Sequence, residues 1–180
     1  MSTEHIENEV ARWLDEVVIG LRLCPFAARP RRLGQVDIVV SEAGDGEGLL
    51  AEIDAKVKQM ASTPAEVLDT SLLVIPTLLA DFVAYNDFIH ILEHYLAVCG
   101  WEGEFQVASF HPQYCFADAE PDDPANFTNR APYPIVHLLR EASVEAALAG
   151  YSDPDEIPQR NIALLRGLSA SRLREYFPYL

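Results

Sequence analysis

Cys24, His111, Asn129, Arg130, His137, Arg140 and Glu141 are the residues whose types could carry chemistry in this chain. A thiolate within hydrogen-bond reach of an imidazole is a nucleophile with its base. Arginine presents a planar fork that matches carboxylate and phosphate. Together they suggest a hydrolase or transferase acting on a small anionic substrate. Cys24 is the expected nucleophile, His111 the general base, and Arg130 with Arg140 the anion clamp. His137 and Glu141 complete the catalytic set, and Asn129 joins the arginines in binding substrate. All but Cys24 fall within residues 111–141. Residues 111–133 read as one loop, several times longer than the usual connection of about 4–6 residues, and long ordered loops tend to be functional.

Each of these residues also has a plainer role. Cationic neighbours Arg22 and Arg29 would favour a Cys24 thiolate, whereas a position just after a helix C-terminus works against it. A free cysteine is also commonly a small buried apolar residue. His111 suits either general base for Cys24 or Cys115, or a buried histidine bonded to the loop backbone. Asp122, Asp123, Asn126, Thr128 and Asn129 build turns by bonding their own backbone. On the expected helix that follows, His137 and Glu141 are four apart and Arg140 pairs with Glu141.

Two further readings stand beside the first. One is a metal-dependent enzyme using His111 and His137 with a carboxylate, although the spacing of His111, Cys115 and His137 fits no tight ligand motif. The other is a ligand-binding or interaction protein without chemistry, whose polar loop holds the fold. HILEH (90–94) matches an inverted zinc-protease pattern, but a helical wheel turns His90 and His94 away from the apolar stripe. GDGEG (44–48) lacks the Lys-Ser/Thr ending of a phosphate loop, and Asp45 and Glu47 would repel phosphate.

Periodicity supplies the elements that must position these groups. Ile6, Val10, Trp13, Leu14, Val17 and Leu21 form a helical stripe that predicts a helix over 4–21, ended by Cys24-Pro25. QVDIVV (35–40), TSLLVI (70–75) and residues 105–110 read as strands, separated by helices over 49–60 and 81–99. Pro134 suits a first helical position, which predicts a helix to about residue 148. Shorter helices follow over 158–167 and from Ser169 or Ser171 to Phe177. The expected fold is α/β: a small, mostly parallel three-stranded sheet flanked by helices, with extra C-terminal helices, in one domain spanning 1–180.

Composition narrows the function classes. The net charge of −15 argues against nucleic acid and against an anionic membrane surface as partners. A small anionic molecule is the expected ligand, and no cofactor or oligomeric state is indicated. Lysine occurs only at Lys56 and Lys58, so arginine supplies the rest of the 13 basic residues. Three cysteines make no disulfide framework. With no apolar run near the ~20 residues of a membrane span and no secretory leader, a cytoplasmic protein is expected.

The segments GLRLCPFA (20–27), SLLVIPTLLADFVAYNDF (71–88), QVASFHPQYCFA (106–117), DDPANFTNRAPYPIVHLLREASVE (122–145) and IPQRN (157–161) occur in this order. In them the chain resembles a bacterial family known as domain of unknown function 1415. The resemblance implies a single-domain cytosolic bacterial protein of this size and implies no settled activity. Its characteristic residues include Cys24, His111, Asn129, Arg130, His137, Arg140 and Glu141, but not His90 or His94.

Overall fold

A computed structural model describes residues 2–151 and 153–179. Strands β1 (Val36–Val40), β2 (Thr70–Val74), β3 (Phe105–Phe110) and β4 (Ile135–Arg140) form one mixed sheet in the order β1-β2-β4-β3. β1 and β2 pair in parallel, and β4 runs antiparallel to both of its neighbours. The helices are α1 (Thr3–Trp13), α2 (Ala28–Arg32), α3 (Gly46–Ser62), α4 (Phe82–Val98), α5 (Glu141–Leu148), α6 (Ile157–Arg166) and α7 (Ala170–Tyr176). A π-helix over Leu14–Ile19 extends α1. Asp45, Asp81 and Ser169 cap α3, α4 and α7, each side chain accepting a backbone N–H from the first turn.

The sheet corrects the expected one in two ways. It has four strands rather than three, and it is mixed rather than mostly parallel. The difference lies in IVHLLR, expected as the start of a helix at Pro134 and observed as β4. Short apolar runs do not separate buried strand from buried helix by periodicity, and proline is as acceptable at a strand entrance as at a helix entrance. A helix does follow, but it begins at Glu141.

Side chains alternate across the strands, so the sheet divides the core in two. Leu73, Ile75, Val136, Leu138 and Phe105 pack with Leu49, Ile53 and Val57 of α3 and with Tyr85, Ile89 and Leu92 of α4. Leu72, Val74 and Ile135 face the other way, toward Ile6, Val10 and Trp13 of α1, Leu14 and Val17 of the π-helix, Leu165 of α6 and Phe177. No helix among the described residues is long and apolar enough to cross a membrane.

Tyr85 closes the seam between β3 and β4 where they part for the long loop. Its buried hydroxyl donates to Ile135 O at 2.6 Å and accepts from Phe110 N at 3.0 Å. Burial pushes the phenol pKa up, which keeps that donor in place. Removing it strands two buried backbone groups, at a cost of about 1–3 kcal/mol. Tyr85→Phe is therefore expected to lower the unfolding free energy by that amount, read as a lower urea midpoint with an unchanged slope. A midpoint equal to that of the wild type would show that the bridge is dispensable.

Candidate functional site

The residues that sequence reasoning gathers into one pocket occupy opposite sides of the sheet. His111 is fully buried on the α4 side, with Phe82 and Tyr85 at ring-centroid distances of 5.3 and 5.0 Å. Its Nδ1 accepts from Gln113 N at 3.0 Å, which fixes the proton on Nε2, and Nε2–H donates to Leu79 O at 3.1 Å. Both ring nitrogens are thus taken by backbone, and burial lowers the pKa. Cys24 packs on the far side, with the α1 and π-helix cluster. The structure does not bring this thiol and this imidazole together.

The arginines are likewise separated. Arg140 lies across the Phe105 ring at 5.5 Å on the α3 side. It donates to Thr63 O at 2.7 Å, to Leu68 O at 3.0 Å and to Met60 O, so it caps the C-terminal end of α3, where cations are favourable. Arg130 belongs to the opposite layer, with its guanidinium 4.5 Å from the Phe127 ring centroid. No clamp of Arg130 with Arg140 forms. Nor does Glu141 orient Arg140 across a helix turn, because Arg140 ends β4 and Glu141 begins α5.

His137, in mid-β4, faces the α1 side. The Thr70 hydroxyl donates to Leu138 O at 2.7 Å, so its oxygen must accept from His137 Nε2–H at 2.6 Å. Nδ1 is left as the acceptor of a neutral ring, and burial lowers the pKa to about 4. His111 and His137 therefore sit on opposite faces, which removes the geometry of a shared metal site. Among the described residues no group of three His, Cys, Asp or Glu side chains is placed to hold a metal ion. His90 and His94 are exposed on the outside of α4.

The loop is largely self-bonded. Asn126 is fully buried, with Oδ1 accepting from Phe116 N at 3.0 Å and Nδ2 donating to Glu120 O at 2.8 Å. Asn129 Nδ2 donates to Ser109 O at 3.2 Å, while its own carbonyl accepts from His111 N. Arg130 donates through Nε to Tyr114 O at 3.1 Å and through Nη2 to Pro121 O at 2.7 Å. Its carbonyl accepts from Trp13 Nε1, tying the loop to α1. Arg130 also lines an open groove of about 320 Å³ with Asp122, Phe127, Leu173, Arg174 and Phe177.

Sequence reasoning missed the clamp on the Cys24 turn. Leu23 N reaches back to Val18 O, a π-type bond at 2.9 Å. A Cβ at Gly20 would stand 2.2 Å from Glu16 O, so only glycine fits there. Arg22 then takes a left-handed φ of 56°, unfavourable for a non-glycine residue by about 1–2 kcal/mol. Arg160 Nη2 holds Arg22 O at 2.7 Å, Asn161 Nδ2 holds Leu23 O at 2.6 Å, and Phe26 packs edge-on against Tyr151. The Cys24 sulfur faces the N–H groups of Phe26 and Ala27, which favour thiolate, but burial outweighs them and pushes the thiol pKa up. The signal for Arg160 and Asn161 was present in IPQRN, distant in sequence and without chemistry of its own.

His137 makes stability depend on pH. Its folded pKa near 4 lies below an unfolded value of about 6.5, so between them the unfolded chain binds the extra proton. The contribution is complete above about pH 6.5 and is lost as pH falls toward 4. The His137 Cε1–H resonance is expected to titrate below pH 5. His137→Gln should flatten the fall of the urea midpoint across that window, and a resonance titrating near 6.5 would contradict the burial argument.

No curated protein and no solved structure matches the chain. A family model described as "Protein of unknown function (DUF1415)" matches residues 5–175, nearly all of the strands, helices and clamped turns above, and the chain belongs to that family.

Proposed function

We propose that this chain is a non-catalytic binding protein for a small anionic molecule with an apolar part, held in the groove at Arg130. The observation that carries this is the state of Arg130 itself. Arg31 and Arg166 pair with the carboxylates of Asp15 and Asp123, whereas Arg130 donates to neutral carbonyls and is partly desolvated. Its orientation is set in advance by Tyr114 O, Pro121 O and the Phe127 face, so little side-chain entropy remains to be lost on binding. Arg174 adds a second cation, and Phe127, Leu173 and Phe177 supply an apolar floor. The groove volume sits at the lower end of the roughly 300–1,000 Å³ typical of ligand sites.

Phenyl phosphate and benzoate are suitable probes, with phenol as the uncharged control. Both anions are expected to shift the amide resonances of Phe127, Leu173 and Arg174 saturably, and phenol is not. Arg130→Ala should weaken binding by about 10–100-fold, the loss of a charge-assisted hydrogen bond. Arg130→Lys should recover only part, because lysine lacks the fork. Equal binding by folded Arg130→Ala would remove this reading.

A second reading, a hydrolase or transferase with Cys24 as nucleophile, is favoured by the two N–H groups that face the sulfur. Its thiol is half-buried with a pKa pushed up by desolvation, while Cys99 is exposed. Iodoacetamide at neutral pH is therefore expected to modify Cys99 before Cys24, as read by peptide mass spectrometry. Faster modification of Cys24 would restore the thiol-based reading.

A further inference from the structure

β1 is an edge strand, and its outward backbone is unpaired. Gln35 O accepts from Asp69 N and Thr70 N, and Ser41 N donates to Val74 O. The N–H and C=O of one residue point the same way, and the direction alternates along a strand. Gln35, Asp37, Val39 and Ser41 therefore face β2, while Val36, Ile38 and Val40 face outward. No N–H or C=O of those three bonds to another group among the described residues outside the β1–β2 pair. Backbone groups without a partner inside a fold meet solvent, and all three residues are only partly buried.

Nothing blunts this edge. Edge strands are usually protected by charge, proline, a bulge or cover from another segment. VDIVV holds no proline, and its one charge, Asp37, pairs with Lys56 of α3 at 2.8 Å. The opposite edge differs: Phe105 N donates to Trp101 O, and Ser109 O accepts from Asn129, so the chain itself occupies part of β3.

An open edge takes an extended strand, and β1 complements itself. Run antiparallel and centred on Ile38, two copies use every outward group: Ile38 meets Ile38, and Val36 meets Val40. Their side chains, which pack with the α1 cluster, then continue as one β-branched row. Asp37 meets Val39, so no like charges stand opposed. The same register sets the entry to one β1, with exposed Arg32, beside the exit from the other, with exposed Glu42. The net charge of −15 opposes approach, but at physiological ionic strength screening confines that repulsion to about 8 Å.

We propose that β1 is a self-association edge, at which two copies of this chain pair antiparallel about a two-fold axis at Ile38 and join their sheets into one. The interface is separate from the Arg130 groove and does not depend on it.

Amide hydrogen exchange of the full chain, followed by NMR from low to high micromolar concentration, tests the assignment, with sedimentation equilibrium reporting mass. Ile38 and Val40 amides are expected to exchange about tenfold more slowly well above the dimerisation midpoint, while Asp37 and Val39, bonded to β2, are unchanged. Ile38→Pro removes no bond to β2 and should leave a monomer. Arg32→Glu, at an exposed position, should weaken dimerisation about tenfold because two pairs are lost at once, and adding Glu42→Arg should restore it. A chain monomeric at every concentration, a dimer in which Ile38 and Val40 exchange is unchanged, or a folded Ile38→Pro chain that still dimerises would each overturn the proposal.

Discussion

The position of β4 is the constraint on which the rest depends. A strand inserted antiparallel between β2 and β3 must be fed from the end of the sheet where β3 finishes. The chain therefore leaves Phe110 and re-enters at Ile135 on the neighbouring strand, and it has residues 111–134 in which to do so. A loop of that length beside a packed core carries many backbone groups that need partners. Asn126, Asn129, His111 and Arg130 supply them, and Tyr85 pins the two strand ends. The density of polar side chains that reads as catalytic in sequence is therefore largely the cost of routing the chain back to β4.

The same strand decides which residues can meet. With β4 in place the sheet is a wall, with His111 and Arg140 on the α3/α4 side and His137, Arg130 and Cys24 on the α1 side. Reading 134–148 as one helix put His137, Arg140 and Glu141 on a common surface. In a strand, His137 and Arg140 are an odd number of positions apart and so point to opposite faces.

Much of the framework was legible because it is locally encoded. The stripe of Ile6, Val10, Trp13 and Val17 and the apolar face of α4 follow helical period, and Ser169 and the glycine after α4 mark ends by local chemistry. What was not legible is long-range. IVHLLR is ambiguous until its neighbours on both sides are known, and nothing near Cys24 announces that Arg160 and Asn161 hold its turn. The π-helix is similarly hidden, since its apolar residues still satisfy an ordinary helical stripe. Candidate site residues were legible by type but not by location, because type does not reveal which side of the sheet a side chain occupies.

Arginine has an internal task in this fold that explains both its prevalence and its misleading appearance. Arg130, Arg140 and Arg160 each place a guanidinium against backbone carbonyls: those of the long loop, of the end of α3, and of the turn before Cys24. Each carbonyl set lies where regular structure ends and its own hydrogen bonds run out. A planar fork with several donors satisfies such a set in one side chain, which the point charge of lysine does less well. An arginine so used is not free to follow a reacting group. Of the three, Arg130 also lines the open groove with Phe127, Leu173 and Phe177. On the proposed reading, the restraint that makes it a loop strut also fixes its partly desolvated charge at the groove, so structure and binding are not competing explanations for that residue.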